Sequence, residues 1–87
     1  MNTYHLLIST PDGNVYDGEA VSLSVRGVEG DLAVLAGHIP FVTSIQPCIC
    51  RVVTADGSER LGRAEGGLLT VSADRVTLLA SSFRWES

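Results

Sequence analysis

The sequence predicts an all-β domain, an antiparallel β-sandwich or flattened barrel of about eight to ten short strands. Runs of alternating apolar and polar residues recur along the chain, which is the period of a half-buried strand. Turn residues separate these runs roughly every eight to twelve residues, as is typical of sandwiches. No segment has a convincing helical period of apolar residues. We therefore expect a core enclosed by strands alone.

The first two strands follow from period-two alternation. Residues 4–9 alternate and are followed by turn chemistry at residues 10–14, where Thr-Pro-Asp-Gly-Asn predicts a reversal. An extended run resumes at residues 15–16, is interrupted by the Asp-Gly pair at 17–18, and returns as a clean alternation over 21–26. This second strand should have one buried and one wet face.

A loop and a bend follow. Residues 27–31 hold two glycines and two carboxylates and are predicted as a loop, while 32–36 and 41–45 are predicted as short strands around a bend. Gly37 can take backbone angles closed to other residues, and Pro40 fixes its own angle, so both are expected to be structural bend residues.

The second half of the chain predicts two hairpins. Residues 49–54 are rich in β-branched side chains, and the Asp-Gly pair at 56–57 predicts a two-residue hairpin turn. Gly66 and Gly67 predict a bend or a close backbone approach. The last pair of strands, 68–71 and 76–80, is joined by a turn at 72–74. We expect one domain over residues 1–80 and a short tail over 81–87.

Composition excludes several classes of function. The chain has 87 residues and a net charge of −4, with 45% hydrophobic and 18% charged residues, which indicates one globular domain. Its six Lys and Arg are not clustered, so nucleic acid is not an expected partner. No apolar run approaches the roughly 18 residues that cross a bilayer, and the start does not resemble a signal peptide. We expect a cytosolic domain that touches a membrane only through other proteins.

Candidate chemistry is sparse. Cys48 and Cys50 would share one face of a strand, where they cannot easily bridge each other, and we interpret them as buried, reduced thiols. His5 and His38 are too few to complete a metal site, so no metal or other cofactor is expected. No nucleophile elbow is present. An enzyme acting through His38 is therefore only a third hypothesis.

The stretch from Glu29 to Pro40 carries a more specific signal. It resembles the Glu-Gly-x-x-x-Val-Leu-x-Gly-His-x-Pro signature of the epsilon subunit of the F-type ATP synthase, the counterpart of the mitochondrial delta subunit. Residues 3–6, the hairpin over 11–18, and the segments 66–71 and 76–80 agree with the same family in the same order. The resemblance covers nearly the whole chain.

The resemblance implies two interfaces. Glu29, Gly30 and Asp31 match the loop that rests on the membrane-embedded c ring, although an ordinary solvated turn is the alternative. His38 and Thr43 match positions at the interface with the gamma subunit, although a histidine that only satisfies the bend is the alternative for His38. The chain departs from the family pattern at four positions, which puts the bend geometry and details of the gamma contact in question: Ala36, Gln46, Cys48 and Glu65.

The function implied by the resemblance is a non-catalytic central-stalk subunit of a rotary ATP synthase. It would lie at the cytoplasmic face of the bacterial inner membrane and link gamma to the c ring, coupling ion-driven rotation to ATP synthesis. The helical hairpin that follows the sandwich in this family is not found before the sequence stops. The chain is either a naturally short form or a piece that ends at a domain boundary. We expect coupling without the inhibitory brake that this hairpin provides. A stand-alone adaptor or ligand-binding module is the alternative.

Overall fold

The structure, a computed structural model, describes residues 2–37 and 39–86 and is built from strands. The prediction of an all-β sandwich is confirmed, and within the described residues the strand number falls in the predicted range. The strands are β1 (Tyr4–Thr10), β2 (Gly13–Gly27), β3 (Gly30–Leu35), β4 (Phe41–Ile45), β5 (Cys48–Thr54), β6 (Glu59–Ala64), β7 (Gly67–Val71), β8 (Arg75–Ala80) and β9 (Phe83–Trp85).

The strands form one hydrogen-bonded sheet that folds back on itself. Their order is β1-β8-β7-β4-β2-β5-β6-β9, and β3 pairs with β2 beside this path. Because β2 also pairs with β1, the strands β1, β8, β7, β4 and β2 form a closed circuit. Closure of this kind removes exposed strand edges. The flattened barrel of the prediction corresponds to this circuit.

One strand pair departs from a purely antiparallel arrangement. β1 and β8 are parallel, with Leu6 opposite Val76 and Ile8 opposite Leu78. Turn signals in a sequence report only on strands joined by a short hairpin, which must be antiparallel. β1 and β8 are far apart along the chain, so no local signal could indicate their relative direction.

β2 organises the fold because it takes part in both layers. Its first half pairs with β1, and its second half pairs with β3 on one edge and β5 on the other. The predicted interruption at Asp17 and Gly18 is wrong, since these residues pair in register with Leu7 and Leu6. The irregularities lie on either side, opposite Ile8 and between Ala20 and Ser22. Such bulges increase the local twist and bend of a strand, which lets β2 pass from one layer to the other.

The core follows the alternation of the sequence. Fully buried aliphatic side chains come from the inward faces of both layers, and burial of each contributes about 1.5–3 kcal/mol relative to exposure. Tyr4 enters the same core, and its hydroxyl donates a hydrogen bond of 2.8 Å to the Val34 carbonyl. The largest fully buried side chains are Leu6, Ile8, Leu23, Leu69, Leu78, Val34, Val52, Val76 and Cys50.

The turn between β5 and β6 is longer than predicted. Gly57 N–H donates to the Thr54 carbonyl over 2.9 Å, and Thr54 N–H donates to the Ser58 carbonyl over 2.8 Å, so three residues form the loop. A two-residue type I′ turn would need a positive φ at Asp56 as well as at Gly57, and only Gly57 has one, at +88°. The Asp-Gly pair therefore supplies the last two residues of a three-residue hairpin.

The predicted tail contains a further strand. β9 pairs antiparallel with β6, with Ala64 opposite Phe83 and Gly62 opposite Trp85. The Trp85 ring makes edge-to-face contacts with Phe83, at 4.9 Å between centroids, and Tyr16, at 6.3 Å. Residues 83–85 therefore belong to the sheet, and the boundary predicted at residue 80 does not separate them from it. Three residues are too short for the alternation signal that identified the other strands.

Three of the four predicted bend residues lie in connections between strands. Gly37 and Gly66 have positive φ angles of 85° and 108°, and Pro40 precedes β4. Gly67 has a different role, because a Cβ there would collide with the carbonyl oxygen of Leu79 on β8. It permits the close approach of β7 to β8.

Candidate docking surfaces

The acidic segment around Glu29 forms a tight hairpin. Residues 27–31 were predicted as a loop, but Gly27 pairs with Gly30 and Arg26 pairs with Asp31, so only Val28 and Glu29 form the turn. Gly30 begins β3 with a φ of +127°. The three residues matched to the c-ring loop thus lie in the turn and at the first two positions of β3 in one β2–β3 hairpin, which we call the acidic hairpin (residues 26–31).

The two carboxylates of the acidic hairpin have different surroundings. Asp31 Oδ1 accepts a hydrogen bond of 2.9 Å from Arg26 Nε, and this ion pair is solvent-exposed. The hydrogen bond and charge of Asp31 raise the pKa of Arg26. Glu29 is exposed at the turn itself. The charge of Asp31 is partly balanced by Arg26, so Glu29 contributes most of the negative potential at the tip.

Thr43 lies closer to the acidic hairpin than the two-interface prediction suggests. It is half-buried on β4, on the same side of the strand as the buried Ile45. Together with Phe41 it lines a depression of about 250 Å³ whose opposite wall is the acidic hairpin. The structure therefore brings together Thr43, Glu29, Gly30 and Asp31, which sequence reasoning assigned to two partners.

The other residue assigned to the gamma interface, His38, lies outside the described residues. Its neighbour Ile39 is 81% exposed, and Phe41 is partly exposed at the start of β4. The bend thus presents apolar side chains to solvent beside the depression that Thr43 lines.

A larger candidate surface was missed by the sequence analysis. On the outward side of β4, β7, β8 and β1, two rows of side chains run across the strands. We call this surface the uncharged face. One row is Ser44, Leu68, Leu79 and Ser9, and the other is Val42, Thr70, Thr77 and Leu7.

None of these eight side chains carries a charge, and three of the four apolar ones are exposed to solvent. Val42 is 62% exposed, Leu79 is 49% exposed and Leu68 is 40% exposed. Contiguous apolar groups at a surface mark contact sites, whereas scattered ones need no explanation. A signal was present in the sequence, since the adjacent pairs Leu68-Leu69 and Leu78-Leu79 put an apolar residue on both faces of β7 and β8.

Charged groups border the uncharged face at one end. On β1, His5 lies two residues before Leu7 of the second row. Its Nε2 lies 2.6 Å from Asp17 Oδ1, and its Nδ1 lies 3.7 Å from Glu19 Oε2. Thr3 donates a hydrogen bond of 2.7 Å to the other oxygen of Glu19. Arg75 lies beside His5 on β8. The apolar surface is thereby bounded on this side by a polar rim, as in protein interfaces.

The acidic hairpin and the uncharged face are joined through the end of β4. Val28 N–H donates to the Ser44 carbonyl over 3.1 Å, and Gln46 N–H donates to the Arg26 carbonyl over 2.9 Å. Ser44 also begins the first row of the uncharged face. The two surfaces are therefore held in a fixed relation by backbone hydrogen bonds.

Other functional classes find less support in the described part of the chain. Over residues 2–37 and 39–86, no group of three or more His, Cys, Asp or Glu side chains is arranged to hold a metal ion. In the same residues, no helix has the length and apolar character needed to cross a membrane. The surfaces with distinctive geometry are the contact surfaces described above.

The fold and its surfaces define a small β-sandwich domain that offers an uncharged face and an acidic hairpin for contact. Residues 3–86 match the family described as the ATP synthase delta/epsilon chain β-sandwich domain. The chain belongs to this family. It is 42% identical over 82 residues to the ATP synthase epsilon chain of Priestia megaterium, a match that covers 94% of this chain and 60% of the relative.

Solved structures agree with the fold. The chain is similar to one in the mitochondrial ATP synthase of Euglena gracilis, in a structure comprising OSCP, F1 and c-ring, with a TM-score of 0.89 and 22% identity. That match covers 95% of this chain and 53% of the other. A chain in the central stalk and c-ring structure of the Tetrahymena thermophila mitochondrial ATP synthase gives a TM-score of 0.79 at 12% identity, covering 94% and 66% of the two chains. This chain thus spans about three-fifths of the length of its curated relative.

Proposed function

We propose that this chain is the β-sandwich of a non-catalytic central-stalk subunit of an F-type ATP synthase, linking the gamma subunit to the c ring. The observation that carries the proposal is membership of the delta/epsilon β-sandwich family over residues 3–86. The name of the Priestia megaterium relative supports an epsilon-type role. The two solved structures support the fold, and both comprise a c-ring.

The uncharged face suits the larger of the two contacts. Burial of an apolar side chain contributes about 1.5–3 kcal/mol relative to exposure, so Val42, Leu68 and Leu79 together could supply most of the affinity for a protein partner. We assign this face to gamma, together with the bend residue His38 and with Thr43, which the family signature indicates although Thr43 lies on the other side of β4 from Val42 and Ser44. An obligate partner that covers it would also stabilise a domain of this small size.

The acidic hairpin suits the second contact. Exposed ion pairs contribute roughly 0–1 kcal/mol each, so Glu29 and Asp31 would add little affinity on their own. Charged groups at an interface instead set orientation and partner choice. We assign Glu29, Gly30 and Asp31 to the polar loops of the c ring, where orientation of the rotor matters more than binding strength.

The mechanism proposed for the domain is mechanical. Ion flow turns the c ring, and a stiff body fixed to both the ring and gamma transmits that rotation to the catalytic subunits, where ATP is made. A closely packed sandwich deforms little under load, and backbone hydrogen bonds join its two contact surfaces. In a bacterium the domain would be a peripheral component at the cytoplasmic face of the inner membrane, with no cofactor of its own.

A reconstitution experiment tests this proposal. Membranes carrying an ATP synthase depleted of its epsilon subunit are supplied with the chain, and its retention together with ATP-driven ion pumping is measured. Wild type should be retained and should restore pumping. The double variant Glu29→Ala/Asp31→Ala should still bind isolated gamma but should restore less pumping.

The matched control is Glu59→Ala/Glu65→Ala. It removes the same charge from two exposed residues that form ion pairs with Arg51 and Arg63 on the β5–β6 layer. This control should behave as wild type. Failure of the wild-type chain to bind gamma or to be retained on the membranes would contradict the proposed function.

A further inference from the structure

A groove opens where β5 separates from β2. Gly27 pairs with Ile45 and Ser24 pairs with Arg51. Between these two pairs, β2 has only two residues, 25 and 26. The segment opposite, which leads from β4 into β5, has five, 46–50. The extra residues arch away from β2 and leave a groove of about 690 Å³ lined by Ser24, Arg26, Leu32, Pro47, Cys48 and Ile49.

Two free thiols lie close together beside this groove, one in its lining and one in the core behind it. Cys48 is partly buried and lines the groove, while Cys50 is fully buried behind it. Both side chains point to the same side of β5, as residues two apart on a strand do. Their Sγ atoms lie 4.0 Å apart. Arg26 N–H, which lies where the ladder opens, donates to Cys48 Sγ over 3.4 Å and holds that sulfur in place.

We propose that Cys48 and Cys50 form a two-sulfur binding site for a soft monovalent cation of the Cu(I) type, reached through the groove. This site is independent of the proposed rotor function. Thiolate sulfur is the ligand that such cations prefer. Cu(I) is satisfied by two thiolates, whereas structural zinc takes four ligands, and no larger ligand cluster is found among residues 2–37 and 39–86.

The sulfur separation is close to what such a site requires. A cation midway between the two Sγ atoms would lie about 2 Å from each, half of their 4.0 Å separation. Metal–thiolate bonds are slightly longer, about 2.3 Å for zinc. Because two-coordinate Cu(I) prefers a near-linear arrangement, the two Sγ atoms must separate by roughly half an ångström, and rotation of the partly buried Cys48 side chain toward the groove supplies this without a rearrangement of β5.

The groove also supplies access and a hydrogen-bond donor. Binding replaces the two thiol protons, and two thiolates with one monovalent cation leave a single negative charge. Arg26 and Asp31 both line the groove and form an ion pair there, so the group that faces the sulfur directly is the Arg26 backbone N–H, which donates to Cys48 Sγ. Cys48, the more accessible sulfur, is the first point of contact for an entering ion.

The test is an anaerobic titration of the reduced full chain with Cu(I), with bicinchoninate as a competing chelator. One equivalent of Cu(I) should bind per chain, with the ultraviolet absorption of a copper–thiolate bond. Cys48→Ala and Cys50→Ala should each weaken binding by roughly 100-fold or more, because loss of a partner outside the ligands themselves already costs about 10–100-fold.

Ser24→Ala is the matched control, since it alters the same groove without removing sulfur, and it should bind Cu(I) as wild type does. Circular dichroism checks that each variant is folded. If Cys50→Ala is not folded, the result is decided by Cys48→Ala. Three outcomes would overturn the proposal: a single-cysteine variant that binds as tightly as wild type, one copper per two chains, or a product lighter by two hydrogen atoms and free of copper, which would be a disulfide.

Discussion

At the scale of single residues, Gly67 is the described glycine at which an added Cβ would come closest to another atom. A Cβ at Gly67 would collide with the Leu79 carbonyl oxygen and approach the Ala80 Cα, both of which are backbone atoms that cannot rotate away. We predict that Gly67→Ala lowers the free energy of unfolding by about 2–3 kcal/mol, the upper part of the range for overpacked sites. Urea unfolding followed by circular dichroism measures this change.

Gly18→Ala is the matched control for Gly67→Ala. Gly18 also lies in a strand without a positive φ, but the nearest atom to its added Cβ is the Tyr16 hydroxyl oxygen, 3.7 Å away. That substitution should leave stability unchanged or raise it slightly, because alanine restricts the unfolded chain more than glycine does. Equal effects of the two variants would mean that the β7–β8 approach is not the constraint.

Asp56 stabilises the β5–β6 turn through its charge. Its Oδ1 accepts hydrogen bonds from Ser58 N–H, at 2.9 Å, and from the Thr54 hydroxyl, at 2.5 Å. These bonds lower the pKa of Asp56, with the Thr54 hydroxyl the largest contributor. A carboxyl whose folded pKa lies below its unfolded value stabilises the fold above the unfolded value, about 3.9, and this contribution is lost as pH falls through the folded value.

We therefore predict that Asp56→Ala unfolds at a lower urea concentration than wild type at neutral pH, and that the difference shrinks in acid. Asp12→Ala is the control. In the β1–β2 turn the hydrogen bond to the Thr10 hydroxyl comes from the backbone N–H of Asp12, which alanine keeps, so this variant should not show the same pH-dependent difference. A difference between Asp56→Ala and wild type that stays constant down to strongly acidic pH would show that ionisation of Asp56 does not matter.

At the scale of elements, β9 is held mainly by one side chain. Trp85 contacts the Phe83 and Tyr16 rings, and the Arg60 guanidinium carbon lies 3.8 Å from its ring centroid. Truncating a fully buried Trp costs about 3–5 kcal/mol, and Trp85 is only partly buried, so we predict a loss of about 2 kcal/mol for Trp85→Ala.

Arg84→Ala is the control for β9, since Arg84 lies on the same strand with its side chain exposed. It should change the stability by less than about 0.5 kcal/mol, as is usual for surface positions. Thermal unfolding of both variants, read by far-ultraviolet circular dichroism, makes the comparison. If the two variants lost equal stability, the aromatic contacts would not be what holds β9.

The elements predicted from the sequence were those with a local signal. Alternation and turn residues predicted β1, β7 and β8 closely, because their pattern depends only on which face meets the core. The interruption at Asp17 and Gly18 was wrong because pairing with β1 overrides the turn preference of these residues. β9 and the parallel β1–β8 pair depend on contacts between distant parts of the chain, which no local pattern records.

At the scale of the whole molecule, the candidate surfaces were only partly predictable. The family signature indicated the acidic hairpin, and the structure places Thr43 beside it across a shared depression. The uncharged face was missed because its rows cross β4, β7, β8 and β1, which are brought together only by the closed circuit of the sheet. A surface of this kind depends on which strands pair and in which register, so it can be recognised only once the strand pairs are known.

The most direct test of the central claim is the affinity of the isolated gamma subunit for three forms of this chain: wild type, Leu79→Asp and Leu61→Asp. Leu79 lies on the uncharged face, whereas Leu61 is a similarly exposed leucine on β6 in the other layer. We predict that Leu79→Asp weakens binding about 30-fold or more, as expected for a central apolar contact worth about 2 kcal/mol, and that Leu61→Asp has little effect. Wild-type binding that is absent, or that falls equally in both variants, would contradict the account.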